Sequence, residues 1–226
     1  MRRVLRIGHR GAAGHAPENT VAAIERGIAL GVDFVEVDLR RTADGALVVL
    51  HDASVNRTTN GRGRIDRLSL CEAKKLDAGN GEGIPTLEEV LATVSGRCGL
   101  MLELKVEGTA RQVVETVQSA GFSGPVIYAS FLHDELTDVR AADPQASLLA
   151  LFKRAPRASV ARATKYETAY VGLQHDTATG RLIDSFHDAG LLVWVYTVDK
   201  IGDIRRVLSV GADGVISNMP ERITAG

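Results

Sequence analysis

"DFVEVDLRRTADGALVVLHD", residues 33–52, holds two β-like runs joined by one tight turn. In the first run, 33–39, Val35, Val37 and Leu39 fall on one side of the pleat, and Glu36 and Asp38 on the other. Asp44 and Gly45 mark the turn, and LVVLH, 47–51, returns from it. Two runs linked so closely must be antiparallel. The second is therefore a hairpin arm on the first, not one more member of a parallel series. That distinction sets the strand count.

Outward from this hairpin, short apolar runs alternate with amphipathic ones. Barrel-type strands are expected at 4–9, 33–39, 100–105, 125–130, 147–152, 169–174, 191–197 and 213–217. Helices are expected at 18–31, 86–95, 108–120, 132–142, 156–165, 177–189 and 199–210. Gly31, Gly121, Gly190 and Gly211 stand where a left-handed helix stop belongs. Eight parallel strands separated by helices predict an α/β protein, a (β/α)8 TIM barrel. An open doubly wound sheet is the alternative, but no GxGxxG turn follows the first strand. Residues 52–85 break the rhythm, with one short helix expected at 69–76. They read as a small insertion at the barrel mouth, because they follow the second barrel strand. Residues 1–226 then form a single catalytic TIM-barrel domain.

Composition narrows the function. The chain has 226 residues, 45% of them hydrophobic, and a formal net charge of −1. Nothing here favours nucleic acid, since the cations are scattered without interleaved aromatics. No apolar run of about 18 residues exists to cross a membrane, and MRRVLRIGHRG lacks the core of a signal peptide. The expected location is cytoplasmic, with Cys71 and Cys98 as reduced thiols.

Barrel strands are covered on both faces, so inward carboxylates need a compensating partner. Glu36 and Asp38 point inward, and Glu103 does so from the next strand, "LELK" at 102–105. Three acids near the strand ends form an oxygen-rich cage suited to a hard divalent cation, Mg²⁺ or Ca²⁺. Without a cation the three would raise one another's pKa. His9 ends the first strand and His51 ends the hairpin arm, so both arrive at the same mouth. Two imidazoles can share acid and base duties near neutral pH. Arg10 and Lys105 bring positive charge suited to a phosphodiester anion.

These residues resemble the glycerophosphodiester phosphodiesterase family of phospholipase C-like TIM barrels. The resemblance is carried by HRG (9–11), PENT (17–20), EVDLRRTADGALVVLHD (36–52), RTTNGRG (57–63), IPTLEEVL (84–91) and LELK (102–105). Fainter matches are SF (130–131), VYTVD (195–199) and GADGVISNMP (211–220). The resemblance implies Glu36, Asp38 and Glu103 as metal ligands, His9 and His51 as the acid/base pair, and Arg10 and Lys105 as phosphate contacts. It implies a small-molecule glycerophosphodiester as substrate, cleaved to an alcohol and glycerol 3-phosphate. The segment after His51 resembles the family's insertion shaping the substrate entrance. Tyr196 stands where the family usually has tryptophan, and Ser217-Asn218 where it usually has Thr-Asp; both departures bear on the alcohol pocket. Two rival readings are a related phosphodiesterase on a lysophospholipid or other polar diester, including one that stops at a cyclic product, and a non-catalytic phosphate-binding barrel.

Other residues receive plainer expectations. Glu18 opens the first helix and can orient Arg10. Asn218, with Glu221 three residues on, reads as a capping box. His15 reads as a loop residue near the mouth, His175 as a possible substrate contact, and His133 and His187 as helical and solvated. Phe131 packs at or beneath the mouth. Trp194 and Tyr196 share one strand face, so one of them lines the pocket, with Tyr196 taken as the substrate contact.

Overall fold

The computed structural model describes residues 3–154 and 158–224. Eight parallel strands close into a barrel: β1 (Leu5–Gly8), β2 (Phe34–Arg41), β4 (Gly99–Leu104), β5 (Val126–Ser130), β6 (Ser147–Phe152), β7 (Tyr170–Gln174), β8 (Leu192–Tyr196) and β9 (Gly214–Ser217). Each pairs with its neighbour, and β1 pairs with both β9 and β2 to complete the ring. β3 (Leu47–Val49) lies antiparallel on β2, with Leu39 opposite Val49, as the Asp-Gly turn requires. The expected strand count and hairpin arm are both correct.

Helices α1 (Val21–Ala29), α3 (Leu87–Val94), α4 (Ala110–Ser119), α5 (His133–Ala142), α6 (Ser159–Lys165), α7 (Gly180–His187) and α8 (Ile201–Ser209) connect the strands. Residues 156 and 157, expected to begin α6, lie outside the described residues. The first helix starts later than expected, because the Thr20 side chain caps it by accepting from the Ala23 amide. Glu18 therefore precedes the helix instead of opening it. Short helix α2 (Leu70–Ala73) starts on a Ser69/Glu72 capping box. No helix among the described residues is long and apolar enough to cross a membrane.

The pleat divides the core. Val35, Val37, Leu39, Leu100, Leu102 and Leu104 face outward into the shell shared with the helices. Ile7, Phe34, Met101, Ile127, Leu149, Leu151, Trp194 and Ile216 fill the barrel's interior. A third cluster, Val48, Leu50, Val55, Ile65, Ala73 and Ile84, packs the hairpin arm against the segment that follows it. The floor of the mouth is thus dry, and the layer above it is where the carboxylates emerge.

The turn that carries His9 and Arg10 is held between two glycines for a steric reason. Gly11 has φ +88°, and a Cβ there would lie 2.6 Å from the Ala23 carbonyl oxygen and 2.6 Å from the Ile24 amide nitrogen. Gly11→Ala is expected to destabilise the fold by about 2–4 kcal/mol, through left-handed strain plus overpacking against backbone. A lowered urea midpoint at unchanged m-value is the readout; an unaltered midpoint would show that the turn can shift away from α1.

Candidate active site

Parallel pairing of β2 with β4 sets Asp38 level with Glu103 and Glu36 level with Met101. One carboxylate oxygen from each of Glu36, Asp38 and Glu103 comes within 4.8 Å of the others. Glu36 and Asp38 are 2% and 1% exposed, so water does little to separate their charges. Glu36 Oε1 is buried with no hydrogen-bond partner. An orphaned, desolvated carboxylate oxygen beside two more acids is a donor set that fits a hard divalent ion.

The expectation that the three acids raise one another's pKa holds for two of them. Burial, then Asp38 and Glu103, drive Glu36 well above the ordinary carboxylate range. Burial and Asp38 raise Glu103. Asp38 goes the other way: burial pushes it up, but Lys105, Arg10 and His51 together outweigh that. Its hydrogen bond from the Asn19 amide, 2.8 Å, adds to the effect. Lys105 Nζ lies 2.7 Å from Glu103 and 3.2 Å from Asp38, and these acids raise its pKa against the pull of burial.

Arg10 sits in a left-handed conformation, φ +51°. Its amide donates to Glu36 Oε2 at 2.8 Å, its Nη1 to Glu18 at 2.6 Å, and its Nε lies 3.3 Å from Asp38. Glu18 is in turn held by Arg57 at 2.7 Å. Glu18 thus orients Arg10, and links the first loop to the segment after His51.

His9 lies against the cage, and His51 is near enough to Asp38 for the two to interact electrostatically. His9 Nε2 lies 3.9 Å from Glu36 Oε2, while its Nδ1 meets Asn218 Oδ1 at 2.7 Å. The Asn218 amide nitrogen donates to Asp199 at 2.7 Å. A carboxylate only accepts, so the Asn218 oxygen must face His9, and His9 must carry its proton on Nδ1. Its Nε2 then holds a lone pair toward the cage. Burial, then the Arg10 charge, lower the His9 pKa to about 4. His51 Nδ1 lies 2.7 Å from Asp52 Oδ1, and Asp52 is gripped by Arg57 at 2.7 Å. Burial lowers His51 too, against the opposing pull of Asp38 and Asp52.

Several expectations are corrected. Asn218 is not a helix cap: Met219 precedes the final 3-10 turn, with no side-chain cap bond, and the Asn218 side chain is spent on His9 and Asp199. His133 is not simply solvated, since its Nε2 meets the Leu151 carbonyl oxygen at 2.9 Å and its ring packs on Phe152. His187 pairs with Asp213 at 2.8 Å. His15 pairs with Glu221 at 3.0 Å. The Nδ1 of His175 is buried without a partner. Trp194 is wholly buried between Phe34 and Tyr170. Tyr196 is the member of that pair that borders the mouth, with Phe131 and Leu151, beside His9, Glu36 and Glu103. Its hydroxyl donates to the Phe152 carbonyl at 2.9 Å, which leaves the ring as the surface it offers. Asp52, Asp199, Asn19 and Arg57 were given no individual role by sequence reading, although each lies inside one of the motifs quoted above: 36–52, 195–199, 17–20 and 57–63.

A sequence model of the glycerophosphoryl diester phosphodiesterase family matches residues 9–222. A glycerophosphodiester phosphodiesterase of Caldanaerobacter subterraneus is 33% identical, covering 98% of this chain and 96% of its own length. One of Bacillus subtilis is 32% identical, over 97% of this chain and 85% of its own. A phosphodiesterase of Oleispira antarctica, solved in complex with the product sn-glycerol-3-phosphate, superposes with a TM-score of 0.90 at 29% identity, covering 96% of this chain and 94% of that one. A glycerophosphodiester phosphodiesterase of Thermotoga maritima gives a TM-score of 0.84 at 25% identity, covering 98% and 97%.

Proposed function

The chain belongs to the glycerophosphoryl diester phosphodiesterase family, and from that premise we propose that it hydrolyses glycerophosphodiesters to an alcohol and glycerol 3-phosphate, using a divalent cation and the His9/His51 pair. The single observation that carries this reading is the convergence of the three-acid cage with two imidazoles that both keep Nε2 free.

Glu36, Asp38 and Glu103 would hold the ion, Mg²⁺ or Ca²⁺. When bound, it supplies positive charge against the phosphoryl oxygens of the diester. Arg10 and Lys105, already anchored on cage carboxylates, add fixed positive charge for the same anion. One histidine takes the proton from the attacking oxygen, that of water or of the glycerol 2-hydroxyl, as the new P–O bond forms; attack by the 2-hydroxyl gives a cyclic phosphate that water then opens. The other must enter the reaction as imidazolium, protonated on Nε2 as well as Nδ1, and it gives the Nε2 proton to the leaving alkoxide as the old P–O bond breaks. Asn218 and Asp52 orient these rings, so neither must reorganise during the reaction. Tyr196 and Phe131 offer ring surface to the substrate. Residues 52–85 act as a small insertion bordering the entrance of a single catalytic domain.

Glycerophosphocholine incubated with the protein and Mg²⁺ or Ca²⁺ is expected to give glycerol 3-phosphate and choline, followed by phosphorus NMR. An unchanged diester resonance across a panel of glycerophosphodiesters would reject the hydrolase reading. A persistent cyclic phosphate would move it to the cyclising class.

A further inference from the structure

The inward row of β2 does not end at the acids. Glu36 and Asp38 are followed, one pleat nearer the rim, by Arg40; Glu103 of β4 is followed by Lys105, just past the strand's end. A cationic layer therefore overlies the carboxylate layer. It opens into a groove of about 650 Å³, lined by Arg40, Arg41, Arg64, Lys105, Asp66 and Glu107 among others, a volume in the range of small-molecule sites.

Asp38, Asp52 and Glu103 attract Arg40 through space, yet not every cation in this groove has a carboxylate in contact with it. Arg64 clasps Asp66 through two bonds, 2.9 and 2.6 Å, and Lys105 is spent on the cage. Glu107 is exposed. Among the described residues Arg40 and Arg41 have no carboxylate partner; their bonds go to the carbonyl oxygens of His51 (2.8 Å) and Gly108 (3.3 Å). Arg40 binds its carbonyl through Nε, which leaves its terminal nitrogens for a ligand. A guanidinium held by one edge is suited to phosphate capture with the other. The groove wall includes Ala53, two residues past His51, and Arg40 is anchored on the His51 carbonyl, so the groove adjoins one of the two groups able to protonate a departing alkoxide. Beside His9 and Glu36 the wall is instead apolar, formed by Phe131, Leu151 and Tyr196.

We infer that this groove receives the leaving alcohol and selects alcohols that carry a further anion, a phosphate monoester above all. The inference rests on the hydrolase reading above and deepens it by naming the substrate class.

The test compares glycerophosphoinositol with glycerophosphoinositol 4-phosphate, a pair differing by one phosphate. Wild type is expected to favour the phosphorylated diester by about 10- to 100-fold in kcat/KM. In Arg40→Gln this ratio falls to within about threefold of unity, and in Arg40→Lys most of it remains. The ratio cancels any general loss of activity from disturbing the His51 carbonyl. Arg41→Gln, and salt raised from about 0.05 to 0.5 M on wild type, should shrink the same ratio and serve if Arg40→Gln fails to fold. Inorganic phosphate at millimolar concentration is the control for free anion: inhibition of both substrates alike places it at the cage, and the phosphorylated preference must persist below that concentration. Equal kcat/KM for the two diesters in wild type overturns the groove inference while leaving the hydrolase reading intact. A preference unmoved by Arg40→Gln, Arg41→Gln and salt overturns the assignment to this groove. Hydrolysis of neither diester, with none of the wider panel cleaved, overturns the hydrolase reading and this inference with it.

Discussion

His9→Ala and His51→Ala are each expected to lower kcat by about 10²–10⁴-fold, the usual worth of a positioned general acid or base. Both rings donate Nδ1–H to a fixed oxygen, Asn218 Oδ1 or Asp52 Oδ1, each at 2.7 Å. Both therefore present Nε2, already in the tautomer that can accept or relay a proton. The double variant should lose little more than the worse single one, since the two act in one proton relay. Asn218→Leu should cost less than His9→Ala, because the ring remains but loses the partner that fixes its tautomer. Steady-state turnover on glycerophosphocholine, with circular dichroism confirming the fold, checks all four variants. A loss below about tenfold at both histidines would remove them as the acid/base pair.

Chelation should have an effect at least as large. EDTA is expected to reduce turnover by about 10²–10³-fold or more, with recovery on adding Mg²⁺ or Ca²⁺. Full activity in EDTA would end the metal assignment. A second readout needs no substrate. Glu36 and Glu103 have raised pKa values in the fold, so the metal-free protein gains stability as they take up protons. That stability is lost as pH rises through those raised values, because the unfolded chain has already released its protons. A divalent ion binds the deprotonated cage, so its stabilising effect must grow with pH. At a cation concentration about 100-fold above Kd, stabilisation of about 2–3 kcal/mol is expected near pH 8, and less near pH 5. Asp38→Asn should abolish the cation's effect on Tm. A shift equal at both pH values would mean that the ion binds elsewhere.

Much of the fold was legible because its signals are local. The period-two pattern of 33–39 separates Glu36 and Asp38 from Val35, Val37 and Leu39, and that alternation survives unchanged in the barrel. The Asp44–Gly45 turn made 47–51 an arm and kept the barrel at eight strands. The helix-stopping glycines at 31, 121, 190 and 211 all take positive φ. Misreadings arose where a residue had one plausible local partner and a better distant one. Asn218 had Glu221 three positions on, but closure of β9 against β1 brought His9 to it instead. Glu18 adjoined a helix start, but Thr20 took the cap and left Glu18 to Arg10 and Arg57.

The sequence by itself determined the strand and helix order, the hairpin, and which acids gather on the inward face of neighbouring strands. Those follow from pleat alternation and turn chemistry, which act over a few residues. Only the tertiary structure decided how the charges divide: Asp38 ionised more readily while Glu36 and Glu103 are held back, His9 tied through Asn218 to Asp199, and Arg40 bonded to a carbonyl instead of a carboxylate. The reason is physical. Electrostatic interaction depends on separation and burial in space, and ring closure joins residues as far apart as His9 and Asn218, 209 positions along the chain.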